Sequence, residues 1–198
     1  MERAEFRGDE AGLTRYGFRV QELKTTQGCV IWLTGLSGAG KSTIAIEIAM
    51  WLNKIGVANT RLDGDIVREG LCSDLGFTPK DRKENVRRFA EVAALMEASG
   101  LITVVSMISP YKEDRALAKK RCGRFLEVYV ETPIDICERR DPKGLYKRAR
   151  AGQIKMFTGI SAPYEEPSDD AFNVQGHGGE PREAAENILN RLEDLSWL

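Results

Sequence analysis

A chain of 198 residues, 42% hydrophobic and 30% charged, is long enough for one domain with its own core. Its net charge of −1 supplies no field to draw it onto nucleic acid or a membrane surface, and no apolar run approaches a bilayer span. Residues 1–26 carry Glu2, Glu5, Asp9, Glu10 and Glu22 without an apolar stretch of signal-peptide length, so the expected setting is cytoplasmic, or organellar where a transit segment has been removed.

Residues 1–27 are polar and irregular, and an arm over the main domain is expected there, with the domain itself over 28–198. The apolar run Cys29–Leu33 opens a strand expected over 29–34. Directly after it comes Gly-Leu-Ser-Gly-Ala-Gly-Lys-Ser-Thr, residues 35–43, which fits G-x-x-x-x-G-K-[ST] between a buried strand and a helix. Gly35, Gly38 and Gly40 permit a tight turn whose amides, with those of Ser37 and Ala39, can cradle phosphates. Lys41 adds a point charge, Ser42 offers a hydroxyl to Mg²⁺, and Thr43 completes the motif. A glycine-rich turn that binds nothing is the bland alternative.

Ile44, Ala45, Ile48, Ala49 and Leu52 form the apolar stripe of a helix over 42–54, which Gly56 ends. A second strand, Val57–Leu62, runs into Asp63-Gly64-Asp65. Two aspartates flanking a glycine beside a P-loop can divide the tasks of holding a metal and placing an attacking hydroxyl; alone they read equally well as a solvated turn. Asp81 is expected to cap a long helix with Val86, Phe89, Ala90, Ala93, Leu95 and Met96 inward and Gly100 at its end. Leu101–Ile108 reads as a strand covered on both faces, followed by a helix near 112–121 and a strand over Phe125–Val130. Pro133 opens a short helix to about Arg139, Ala171–Val174 is expected as the last strand, and Pro181 opens a final helix with Ala184, Ala185, Ile188, Leu189 and Leu192 on one side.

Strands alternating with helices imply an α/β fold with a mostly parallel sheet and ligands at the carboxyl ends of its strands. The segments Gly35–Thr43, Asp63–Arg68 and Ser106–Tyr111 all fall at such ends. Seven basic side chains lie in residues 139–155 (Arg139, Arg140, Lys143, Lys147, Arg148, Arg150, Lys155) with only Asp141 against them, among Pro142, Gly144 and Gly152. Hinged positive charge suits a mobile basic lid, set at about 139–162, that closes over polyphosphate; a solvated basic helix face is the competing view. Arg82, Asn85, Arg87 and Arg88 make a second polar cluster, near Phe77, which suits either an adenine or the core.

Other features exclude chemistry. The cysteines Cys29, Cys72, Cys122 and Cys137 form no C-x-x-C pair, and the lone histidine, His177, sits between glycines as an expected exposed loop residue, so zinc is not expected. Asn53-Lys54 runs into Ile55-Gly56, which lacks the guanine-reading Asn-Lys-x-Asp pattern and argues against a GTPase. Trp32, Trp51 and Trp197 read as packing residues.

The chain resembles the adenylylsulfate kinases, which phosphorylate adenosine 5′-phosphosulfate (APS) on its ribose 3′-hydroxyl. The resemblance rests on residues 35–43, Leu62-Asp-Gly-Asp65, Asp74-Leu-Gly-Phe77, Asp81-Arg82 with Glu84–Arg88, Ile108-Ser-Pro-Tyr111, Arg140–Tyr146, Phe157-Thr-Gly-Ile160 and Pro163-Tyr-Glu165, in family order over about 28–167. It implies a three-layer P-loop nucleoside-kinase-like fold, MgATP on the P-loop, Asp63 as a metal-linked or base-like aspartate, and APS against Asp65, Arg68, Phe77, Arg82, Asn85, Ile108, Ser109, Lys143 and Phe157. The two phenylalanines would sandwich adenine. Ser109 matches a serine described as phosphorylated in some members; direct transfer makes it a hydrogen-bonding contact instead. A homodimer, and a sulfurylase as partner or fusion, are further implications. Ile66 stands where the family usually has Asn, Met107 where it has Phe, and Ser161 where it has Asp. The missing Asn is expected to weaken APS binding by about 1 kcal/mol or to change the nucleoside preference. A kinase for a related nucleotide and a non-catalytic nucleotide-binding module are the alternatives; intact Lys41, Ser42, Asp63 and Asp65 argue against the second.

Overall fold

A computed structural model describes residues 27–198, and the expected N-terminal arm falls outside them except for Gln27. Five strands form the sheet: β1 (Cys29–Thr34), β2 (Asn59–Asp63), β3 (Ile102–Ser106), β4 (Phe125–Glu131) and β5 (Phe172–Gln175). Their order is β2-β3-β1-β4-β5 and every pairing is parallel. The helices are α1 (Lys41–Lys54), α2 (Gly64–Glu69), α3 (Pro79–Ala98), α4 (Lys112–Arg121), α5 (Ile134–Arg140), α6 (Leu145–Arg150) and α7 (Pro181–Asp194). Among the described residues no helix is long and apolar enough to cross a membrane.

The core splits by the two-residue period of the central strand. Cys29, Ile31 and Leu33 of β1 pack with Ile44, Ile48 and Leu52 of α1 and with Ile188, Leu189 and Leu192 of α7. Val30 and Trp32 face the other way, against Val86, Phe89 and Ala93 of α3. Trp32 meets Phe89 edge-on at 6.5 Å and Phe125 at 5.5 Å between ring centroids, as expected of a packing residue. All four cysteines are free and buried.

The structure corrects several local expectations. The cap of the long helix is Thr78, and Asp81 closes a capping box three residues on: its amide donates to Thr78 Oγ1 and its carboxylate accepts from the Thr78 amide, both at 3.2 Å. Leu95 is solvent-facing, and Glu97 takes a buried place on α3, where its carboxylate accepts the amides of Gly123 and Arg124. Strand β3 stops at Ser106, and the backbone turns left-handed at Ser109 (φ 37°) just before Pro110. Strand β2 begins two residues later than expected and runs on to Asp63. His177 is half-buried, with Nδ1 shielded from solvent and unpartnered among the described residues. Helices α2 and α6 carry no expectation at all; each spans six residues, too short to display an apolar stripe.

Gly176, just past β5, runs so close to the P-loop that a Cβ would lie 2.1 Å from the Ala39 carbonyl oxygen. Gly176→Ala is therefore expected to destabilise the domain by about 1–3 kcal/mol, seen as a lowered midpoint in thermal unfolding; an unchanged midpoint would mean that this approach is not tight.

Candidate active site

The carboxyl ends of β1, β2 and β3 open onto one cleft of about 1420 Å³. Its walls are the P-loop and start of α1, the end of β2 with α2, the start of α3, residues 106–110, and part of 140–158. Eight cationic side chains line it (Lys41, Arg61, Arg68, Arg82, Arg140, Lys143, Arg148, Lys155) against two carboxylates, Asp63 and Asp65. In a chain of net charge −1 this is a strong local concentration of positive charge, which suits a polyanionic ligand.

The P-loop is shaped by positive φ at Gly35 (149°), Gly38 (76°) and Gly40 (106°). Each carbonyl from 35 to 39 accepts a side-chain hydrogen bond. Lys41 Nζ donates to Gly35 O (3.0 Å) and Leu36 O (2.7 Å), Tyr146 to Ser37 O (2.9 Å), Arg140 to Gly38 O (3.2 Å) and Thr132 to Ala39 O (3.0 Å). With its acceptors tied to protein donors, the loop offers a ligand mainly its amides and the N-terminus of α1, which together favour an anion. Burial pulls the Lys41 ammonium down to about 8; Cys137, Asp63 and Asp65 act the other way and do not offset it.

Asp63 sits where β2 ends and caps α2 through the Asp65 amide (3.0 Å to Oδ1). Its Oδ2 accepts Ser42 Oγ at 2.6 Å and Ser106 Oγ at 2.8 Å. Parallel register places Asp63 beside Ser106, and Ser106 beside Leu33 of β1. Partial burial raises the Asp63 pKa, but the bonds from Ser42, the Asp65 amide and Ser106 outweigh it and hold the carboxyl below the usual range. Asp63 is thus an ionised carboxylate next to a serine hydroxyl at the mouth of the P-loop. Two hard oxygen donors of this kind fit Mg²⁺, which takes few protein ligands and leaves the rest to phosphate and water. No group of three or more His, Cys, Asp or Glu side chains among the described residues could hold a metal by itself.

On the opposite wall Arg82, 7% exposed, donates to Phe77 O (3.1 Å) and Met156 O (2.9 Å), tying α3 to the segment around 156. Asn85 is buried beside it, and its Oδ1 has no hydrogen-bond partner among the described residues. Arg68 donates to Leu75 O and Gly76 O and lies 4.5 Å over the exposed Phe77 ring. Phe157 is buried edge-on against Tyr146 at 4.9 Å, and its amide donates to Ser161 Oγ at 3.0 Å. Lys143 pairs with Asp65, joining the basic segment to α2. The basic run is also less bare than its own sequence implies, because Asp135 pairs with Arg139 and Glu138 with Arg150 from just upstream.

Of the residues singled out from sequence, Ser37, Gly38, Gly40, Lys41, Ser42, Thr43, Asp63, Asp65, Arg68, Phe77, Arg82, Asn85, Ile108, Ser109, Lys143 and Phe157 all line this cleft. Gly35 and Ala39 do not; Ala39 is wholly buried beneath the loop. The Ser109 hydroxyl turns into the core, accepting Trp32 Nε1 at 3.1 Å and donating to Thr34 Oγ1 at 3.0 Å. Thr132 and Arg115 carry no expectation from sequence. Arg115 sits on the buried side of a short helix whose other buried residues are Asp114 and Ala118, so no apolar stripe marks that side.

A family model described as adenylylsulphate kinase matches residues 27–175. The chain belongs to the adenylylsulfate kinase family. It is 49% identical over 177 residues to the adenylyl-sulfate kinase of Enterobacter sp. (strain 638), covering 88% of this chain and 86% of the relative. It is 50% identical over 171 residues to that of an Escherichia coli strain, ATCC 8739, covering 85% and 83%. Its fold matches the Mycobacterium tuberculosis APS kinase solved with AMPPNP and APS at a TM-score of 0.82 and 43% identity, covering 86% of this chain and 99% of that one. A more distant gluconokinase from Sinorhizobium meliloti, 17% identical with a TM-score of 0.57, shares the P-loop kinase fold alone. The adenylylsulfate kinase fold thus holds here, as a five-stranded parallel sheet with the P-loop beside the end of β2.

Proposed function

We propose that this family member transfers the γ-phosphoryl group of ATP to the 3′-hydroxyl of APS, giving 3′-phosphoadenylyl sulfate (PAPS) and ADP. The observation that carries the reading is one cleft with a P-loop, Lys41 and the Ser42–Asp63 pair on one wall and Arg68, Phe77, Arg82 and Asn85 on the other. Lys41 leaves the Gly35 and Leu36 carbonyls for the β- and γ-phosphates and spreads the charge of the transition state. Ser42 and Asp63 would hold Mg²⁺, which would supply positive charge against the triphosphate. With its carboxyl held below the usual range, Asp63 stays ionised at neutral pH and is better suited to the metal than to accepting a proton. Asp65, released from Lys143, positions the ribose hydroxyl, and the arginines grip the phosphosulfate. Transfer is direct: the Ser109 hydroxyl is committed to Trp32 and Thr34, and aligned hydroxyl and phosphate need no covalent step. Residues 139–162 act as the lid, with Arg140, Lys143, Arg148 and Lys155 already on the cleft wall. The same reading takes the enzyme as a cytoplasmic homodimer, with a sulfurylase as partner or fusion.

Arg82→Ala tests the assignment of the two walls. It is expected to raise KM for APS about 10–100-fold, the worth of one or two charge-assisted hydrogen bonds, with a much smaller effect on KM for ATP. Equal effects on both would reject this placement of the sulfonucleotide. Ile66, an exposed apolar side chain on the cleft wall, favours a second reading, a kinase for a related nucleotide. An ADP-release assay with APS beside AMP and nucleosides decides between them: the proposal expects APS to give by far the highest kcat/KM.

The Lys41 pKa also sets a pH dependence. Below about 8 the free enzyme carries the ammonium charge; above it the charge is lost. The profile of kcat/KM for ATP is therefore expected to fall above about pH 8, approaching tenfold per pH unit, while bound triphosphate holds the proton and shifts the fall in kcat to higher pH. A flat kcat/KM profile up to about pH 9.5 would show that burial does not depress the Lys41 ammonium in the free enzyme.

A further inference from the structure

We propose that Arg115, which does not line the cleft, is a positioning residue for the sulfonucleotide wall, acting through the backbone of Ser109; this rests on the APS kinase reading above. Ile108, Ser109 and Pro110 line the cleft, and Ser109 holds a left-handed φ of 37°. A residue with a Cβ keeps that conformation only where its surroundings enforce it. Arg115 is 1% exposed and supplies the enforcement from behind. One guanidinium nitrogen donates to Ser109 O at 2.7 Å, another to Glu165 O at 2.8 Å, and Nε to Glu127 Oε1 at 2.6 Å. The same turn is braced from the other side. Thr34 Oγ1 donates to Ile108 O at 2.7 Å and meets Tyr164 Oη at 3.0 Å, while the Glu165 amide donates to Pro110 O at 2.8 Å.

The planar fork is what the geometry uses. Three donors point to three acceptors from three separate segments, a task that a single ammonium cannot repeat. A buried ion pair is by itself weak support for a fold, so Arg115–Glu127 alone gives little reason for the arrangement. The two carbonyl bonds give the reason: they join the turn at 108–110 to the strand of chain at 164–165. The consequence for the reaction is selective. The backbone that faces APS is fixed by Arg115, whereas the P-loop draws its braces from Thr132, Arg140 and Tyr146.

The test is Arg115→Lys, which keeps the charge and loses the fork, with Glu127→Gln as the companion that neutralises the ion pair and leaves both carbonyl bonds. Arg115→Lys is expected to raise KM for APS about tenfold or more while KM for ATP stays within about twofold, and Glu127→Gln to leave KM for APS within about twofold. Equal rises in both KM values, or a larger effect on KM for APS from Glu127→Gln than from Arg115→Lys, would reduce Arg115 to scaffold and overturn the proposal. No change from Arg115→Lys would overturn it as well. Should Arg115→Lys fail to fold, Thr34→Val carries the same test from the other brace, with the same selective rise in KM for APS expected and an equal rise in both fatal. Wild-type protein run in parallel separates the two levels: if it never phosphorylates APS, the function reading falls and the proposal with it, whereas an active wild type with an unaffected variant defeats the positioning role alone.

Discussion

Lys41→Ala is expected to cut kcat/KM by about 10²–10³-fold or more while leaving the fold in place. The loss is large because Lys41 opens α1 at the P-loop, where transferring charge must be met. The fold survives because Lys41 Nζ, among the described residues, bonds only Gly35 O and Leu36 O, and the same loop remains pinned by Thr132, Arg140 and Tyr146. Removing an ammonium whose pKa burial has already lowered to about 8 also removes a desolvated charge, so thermal stability is expected to hold or rise slightly. Steady-state kinetics with a circular-dichroism melt reads both halves. Near-normal turnover in the variant would show that the phosphate site is elsewhere.

Asp63→Asn is the second large effect, and its signature differs. The asparagine can still cap α2, so local structure is retained. It cannot carry the charge that makes the Ser42–Asp63 pair a cation site, nor accept both hydroxyls on the same charged oxygen. Turnover is expected to fall by about 10²–10³-fold, and the Mg²⁺ concentration for half-maximal rate to rise. Titrating the rate with Mg²⁺ at saturating nucleotide makes the distinction from Lys41→Ala. A slower variant with an unchanged Mg²⁺ requirement would move the metal role off Asp63.

Much of this site was legible because its chemistry lies on strand ends. An apolar run followed by glycines and Lys-Ser-Thr defines a strand, a loop and a helix start together, so residues 35–43 needed no tertiary information. The stripes of α1 and α7 were legible for the same reason: Ile44, Ile48 and Leu52, and Ile188, Leu189 and Leu192, recur at helical spacing and all are buried. What escaped has a physical cause in each case. Helix α2 buries no side chain, so hydrophobic periodicity is silent on it, and only the capping aspartate hints at it. The start of α3 was misplaced because Asp81 resembles a cap in isolation; the Thr78-Pro79 pair in front of it is the stronger signal. The partners of the basic segment lie outside its own stretch: Asp135 and Glu138 just upstream of it, and Asp65, which only the folded chain brings near. Arg115 is the furthest from view: a charged residue in a polar helix gives no sign that it is buried and spent on carbonyls of other segments.

The departures from the family pattern are partly absorbed by the fold. Ser161 accepts the Phe157 amide and so shapes the turn that presents that ring. Met107 lines the cleft but is largely buried, in the same core cluster as Val86, Phe89 and Val105. Ile66 is different, being exposed on the wall itself, and it is the position most able to alter which nucleoside is accepted.

The central claim is the transfer of one phosphoryl group between two nucleotides held in one cleft. It is tested most directly by incubating the purified protein with Mg²⁺, ATP and APS and identifying the sulfonucleotide product by ³¹P NMR and mass. The account predicts ADP and PAPS in equal amounts, with the new phosphate on the ribose 3′-oxygen. ADP released without a phosphorylated sulfonucleotide, or no turnover of APS at all, would contradict it.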